Sequence, residues 1–125
     1  MKMIRKQLKK CRLFTAGDGS RLREILNPKK ERRLKIRYSM AWASVAPGKE
    51  TLPHILRHTE VYYILRGSGI MHIGRECKRV KTGDTIYIPS GSVQQIRNPN
   101  RRTLVFLCLV DPPWTPAFEK IVPNR

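Results

Sequence analysis

After residue 33 the chain is a series of short apolar or alternating segments, each bounded by Gly, Pro, Asn or Asp, and none sustains a helical period. Arg33-Leu-Lys-Ile-Arg-Tyr38 alternates basic and apolar residues. This predicts a strand with Leu34, Ile36 and Tyr38 on a buried face and Arg33, Lys35 and Arg37 in water. The pattern continues through Ser39 to Val45, then Val61 to Leu65, Ile70 to Ile73, Arg79 to Lys81, Thr85 to Ile88, Val93 to Arg97 and Thr103 to Val110. Turns are expected at Ala46-Pro-Gly, Arg66-Gly-Ser-Gly, Gly74 to Lys78, Thr82-Gly-Asp, Pro89-Ser-Gly and Asn98 to Arg102. Strands at this spacing predict an all-β barrel or sandwich. Ser20-Arg-Leu-Arg-Glu-Ile-Leu26 reads equally as one helical turn or a strand. The tail, with Pro112, Pro113, Pro116 and Pro123, is barred from a central sheet and is expected to wrap the surface. Trp114 and Phe118 would anchor it to the barrel or to a second subunit.

Two Gly-anchored blocks, Gly48 to Gly67 and Gly83 to Asn98, carry the chemistry. Residues two apart in a strand share a face, so His54 and Leu56 point the same way, and Glu60 returns on the paired strand. With Gln94 on a third strand, an imidazole nitrogen, a carboxylate and an amide oxygen converge on one point. That donor set suits Mn²⁺, Fe²⁺, Ni²⁺ or Zn²⁺. The alternative is that His54, protonated, and Glu60 hydrogen-bond one another over Leu56 with no ion. Tyr62, in phase with Glu60, is expected in the cavity as a weak acid or a substrate-orienting phenol, or simply as packing. His58 would reach the site only if its turn folded the ring inward. Ile64, Ile96 and Phe106 are expected as apolar wall, and His72 faces either the cavity or solvent. Gly67, Gly83 and Gly91 read as positive-φ turn residues. Nothing matches a phosphate-binding loop, a dinucleotide fingerprint or a Ser/His/Asp triad.

The two blocks resemble the two motifs of the cupin superfamily. Gly48, His54, Glu60 and Gly67 fall at the spacing of the first motif, with Leu56 where a second His is expected. Gly83, Pro89, Gly91 and Asn98 fit the second, with Gln94 in the place of its His. Flanking stretches such as Phe14-Thr-Ala-Gly-Asp-Gly and Phe106-Leu-Cys-Leu-Val-Asp-Pro resemble short single-domain cupins of unassigned activity. The resemblance implies a jelly-roll barrel, or double-stranded β-helix, spanning 1–125 as one domain. It would comprise a motif-bearing core over about 33–111, a basic N-terminal arm over 1–32 and a tail over 112–125. It implies a homodimer built on N-terminal strands, with the 33–38 strand and the aromatic tail suited to the interface. It further implies a divalent metal at His54, Glu60 and Gln94, with Tyr62 or His58 moving a proton. The activities in view are metal-dependent isomerases, epimerases, dioxygenases and decarboxylases of sugars, sugar phosphates or organic acids. Without the second His, a metal-free binding or sensing module is the other expectation.

At 125 residues the chain is long enough to bury a core without a metal or disulfide. Three cysteines, Cys11, Cys77 and Cys108, fit no disulfide or zinc framework. There is also no apolar run of signal-peptide or membrane-span length, so a cytoplasmic protein is expected. The net charge is +17, and residues 1–37 hold 14 Lys and Arg against 3 acids. Such a field draws polyanions non-specifically and favours phosphorylated or carboxylated substrates. The basic stretches around Lys9-Lys10 and Arg33 to Arg37 lack interleaved aromatics, so specific nucleic-acid recognition is not expected.

Overall fold

The computed structural model describes residues 2–123. Eleven strands follow in order: β1 (Leu13–Thr15), β2 (Arg21–Leu26), β3 (Ser39–Val45), β4 (His54–Leu56), β5 (Thr59–Arg66), β6 (Ser68–Ile73), β7 (Glu76–Lys81), β8 (Thr85–Ile88), β9 (Val93–Arg97), β10 (Leu104–Asp111) and β11 (Glu119–Ile121). Two 3₁₀ turns, Leu8–Lys10 and Pro116–Phe118, complete the list, and no α-helix occurs among the described residues. All pairings are antiparallel and form two sheets, in the orders β1-β2-β3-β10-β5-β8 and β11-β4-β9-β6-β7. The inward side chains of the two sheets make one core, with Phe106, Ile64, Ile88, Ile96 and Leu104 fully buried.

Alternation decides which side chains enter it. In β5, Glu60, Tyr62 and Ile64 point in, while Tyr63 and Leu65 are exposed. In β10, Leu104, Phe106, Cys108 and Val110 point in. The β5–β6 turn needs Gly67 for two reasons: its φ is +88°, and a Cβ there would lie 2.9 Å from the Thr103 carbonyl oxygen.

Three expectations require correction. Residues 33–38 are not a strand. Because β2 pairs with β3 so that Leu26 lies opposite Met40, the intervening residues must close a loop over the end of the sheet, where 33–38 finds no partner. Leu34 and Ile36 are half-buried there, while Tyr38 is exposed. Second, the barrel begins upstream of residue 33, since Ser20 to Leu26 resolves as a strand and both β1 and β2 join the six-stranded sheet. Third, the tail does more than wrap the surface. Residues 119–121 pair with β4 at a sheet edge, between Pro116 and Pro123, where a missing amide donor is tolerated.

Candidate functional site

His54, Glu60 and Gln94 meet inside the barrel, 2%, 5% and 1% exposed. They come from three strands: β4 pairs with β9 so that His54 lies opposite Gln94, and β5 supplies Glu60 from the facing sheet. The hydrogen bonds fix the chemistry. His54 Nδ1 lies 2.8 Å from the Leu52 carbonyl oxygen, an acceptor, so the ring proton belongs on Nδ1. Nε2 then offers a lone pair, which accepts from Gln94 Nε2 at 2.8 Å. The same Gln94 amide donates to Glu60 Oε1 at 2.7 Å. His54 and Glu60 therefore do not bond each other, as the ion-free reading of the sequence expected; the amide lies between them.

Burial holds the Glu60 carboxyl as an acid, its pKa raised to about 8. The Gln94 hydrogen bond opposes this shift, and the charges of Asp18 and Glu119 add to it. Tyr62 is raised as well, chiefly by burial and then by Glu60.

A cavity of about 60 Å³ opens beside the triad. His54, Glu60, Tyr62, Leu56 and Phe106 line it as expected, with Gln94 behind them. Ile64 and Ile96 belong to the packed core instead. His72 faces the outside of the five-stranded sheet, its Nε2 3.9 Å from Cys77 Sγ. The structure does not bring His58 to the cavity either. Its ring, 1% exposed, packs on Phe118 with centroids 5.1 Å apart, and neither nitrogen has a hydrogen-bond partner. Burial lowers its pKa, with the Pro113 carbonyl acting in the opposite sense.

Sequence reasoning missed Asp18, Glu119 and Trp114, which also line the cavity. Asp18 sits in the β1–β2 turn, where Oδ1 accepts from the Ser20 amide at 3.0 Å and the Ser20 hydroxyl at 2.7 Å. Its Oδ2 points toward His54 Nε2, 3.7 Å away. Glu119 arrives from the tail, and its carboxylate rests on Gly17, where a Cβ would come within 2.7 Å of Oε1. Burial and the Asp18 charge raise the Glu119 pKa, while His54 and Trp114 lower it. The only sequence signal for this group was the Gly17-Asp18-Gly19 turn.

The donor set does not form a metal cage in this arrangement. Gln94 turns its nitrogen, a donor, toward the point where an ion would need its oxygen. No three His, Cys, Asp or Glu side chains converge on such a point among the described residues.

Residues 41–110 match the family model described as Cupin domain. An uncharacterized protein of Methanocaldococcus jannaschii is 39% identical over 125 residues, covering 98% of this chain and 97% of that one. An oxalate-binding protein of Thermotoga maritima is 35% identical over 51 residues, 41% of this chain and 42% of its own. The solved structure of the polyketide cyclase RemF from Streptomyces resistomycificus superposes with a TM-score of 0.80 at 19% identity, covering 99% of this chain and 88% of that one. Fold, motif spacing and a match over most of the barrel agree: the chain belongs to the cupin family.

Proposed function

We propose that this protein is a small-molecule-binding cupin whose site works without a metal at the His54, Glu60 and Gln94 positions. The observation that carries this reading is the Gln94 amide, which donates to both His54 Nε2 and Glu60 Oε1 and so turns its nitrogen, not its oxygen, toward the place an ion would take. The cavity beside it accommodates a molecule of a few heavy atoms, far below the hundreds of Å³ of a drug-sized pocket. Tyr62 and the carboxylates of Asp18 and Glu119 supply its polar contacts. The competing reading is a metal-dependent isomerase, epimerase or oxygenase. Elemental analysis and Mn²⁺ titration of protein purified without a nickel column separate the two. The proposal expects no stoichiometric metal, and a Leu56→His/Gln94→His variant that gains Mn²⁺ binding. One tightly bound ion per wild-type chain, lost in His54→Ala, would overturn it.

We also place a homodimer contact on the outer face of the six-stranded sheet. Trp114 and Phe118 pack on their own barrel and 33–38 is a loop, so neither of the regions first expected there supplies it. Instead Met40, Leu109, Val61 and Tyr87 line up across four strands, beside Trp42, Leu107 and Tyr63 across three. Tyr87 is 62% exposed in the single chain. An apolar row of that length on an open face marks an interaction surface. Sedimentation should give a dimer, and Tyr87→Glu/Tyr63→Glu a monomer; a wild-type monomer removes this part of the proposal.

A further inference from the structure

We infer that the cavity's ligand is a small organic cation, an alkylammonium held by Asp18 and Glu119 against the aromatic wall. This rests on the small-molecule reading above and names the class of molecule. The chain has 26 Lys and Arg, yet none among the described residues lines the cavity, whereas Asp18, Glu24, Glu60 and Glu119, four of its nine acids, do. The Arg12 guanidinium stacks on Phe14, a lining residue, at 4.9 Å without itself lining the space. Glu24 is already matched by Lys30 at 2.6 Å. Glu60 keeps its proton and faces the Gln94 amide, whereas Asp18 and Glu119 come from the β1–β2 turn and β11, so the fold itself brings these two to the cavity.

A carboxylate or phosphate ligand would meet the Asp18 and Glu119 carboxylates here and no Lys or Arg among the described residues. Two polar groups also wait for a partner. Tyr62 is 3% exposed and lines the cavity, and its phenol has no hydrogen-bond partner among the described residues. Asp18 is buried as well, and its Oδ2 accepts no hydrogen bond. An ammonium donates up to three N–H bonds, enough for a phenol oxygen and two carboxylates. The remaining wall is apolar and aromatic, with Phe106 stacked on Tyr62 at 4.5 Å between centroids and Trp114 alongside. Aromatic faces favour a weakly hydrated organic cation over a strongly hydrated metal ion. The cavity volume of about 60 Å³ limits the alkyl part to a few carbons.

The test is titration of ¹⁵N-labelled full-length protein with ethylammonium, ethanol, acetate and Mn²⁺, following the Trp114 indole N–H. Trp42, on the outer sheet face, is the internal reference. Ethylammonium should shift Trp114 saturably, with a dissociation constant on the order of millimolar, as expected for so few heavy atoms; acetate should not. Asp18→Asn and Glu119→Gln, their folds checked in the same spectra, should each weaken binding by about tenfold or more. Glu76→Gln, an exposed acid, should change nothing. Equal shifts from ethylammonium, ethanol and acetate would keep a binding cavity and overturn its charge selectivity. Ethylammonium binding that survives both cavity variants overturns the assignment of the carboxylates. Mn²⁺ broadening of Trp114 with no ethylammonium effect would hand the acids to a metal and overturn the inference. No response to any probe overturns both the inference and the binding cavity.

Discussion

The outside of this barrel is basic, whereas its cavity is lined by acids. No Lys or Arg among the described residues lines the cavity, while nearly half of the acids do. The net charge of +17 would lead one to expect an anionic substrate. The difference shows that whole-chain charge describes long-range attraction and solubility, whereas the sign of a ligand is set by the few groups that face it. The two regions also differ in cost. Surface charges are solvated and nearly free, but carboxylates in the cavity give up water, which is why Glu60 and Glu119 hold their protons more tightly than usual.

The comparison breaks most visibly when charge is added. Val110→Asp, which sets a further carboxylate in the acid-lined cavity, should cost about 3 kcal/mol or more in urea denaturation. A loss below about 1 kcal/mol would show that carboxylates there keep their water, and the desolvation argument fails. Glu76→Lys on the exposed strand β7 should stay within about 0.5 kcal/mol.

Next in size is pH. The Glu60 pKa is raised from 4.5 to about 8, so the folded state holds a proton that the unfolded state releases. Its contribution is fully present below pH 4.5 and is lost as pH rises through 8. Stability measured from pH 5 to 9 should fall with this slope, and Glu60→Gln should flatten it. An unchanged slope in the variant would show that Glu60 is ionised in the fold.

His58 acts in the opposite sense. Its pKa lies below 6.5, so the fold favours the neutral ring and stability is lost as pH falls through the unfolded value. His58→Phe, which keeps a ring on Phe118 and removes two unsatisfied nitrogens, should stabilise by about 1 kcal/mol and remove that acid-side loss. Destabilisation would mean that the ring nitrogens are satisfied in solution. The smallest effect is Gly17→Ala. The new methyl meets only the flexible end of Glu119, so stability should change by less than about 1 kcal/mol. The displaced carboxylate should nonetheless move the Trp114 indole signal, and an unmoved signal would place Glu119 away from Gly17.

Much of the barrel was legible in the sequence because its strands carry their own alternation and turns. Thr85 to Ile88 and Val93 to Arg97 match β8 and β9 at both ends. The meeting of His54, Glu60 and Gln94 was legible in part: His54 and Gln94 lie on paired strands, but Glu60 comes from the facing sheet and not, as expected, from a strand paired with β4. Residues 33–38 misled because alternation reports which side chains are wet, not whether a neighbouring strand exists to bond. Asp18 and Glu119 were out of reach for a different reason. They are separated by 101 positions and meet only because β11 adds to β4 while the β1–β2 turn closes over the same end. The polarity of Gln94 was hidden as well: an amide offers an oxygen or a nitrogen, and the Leu52 carbonyl, through His54, selects the nitrogen.

That selection is the centre of the account, and the most direct test is the tautomer of His54 read from long-range ¹H–¹⁵N spectra at pH 7. The account predicts a proton on Nδ1 and an unprotonated, hydrogen-bonded Nε2 whose shift changes in Gln94→Ala. A proton on Nε2, or a doubly protonated ring, would contradict it, because Gln94 would then have to turn its oxygen, not its nitrogen, toward the ring.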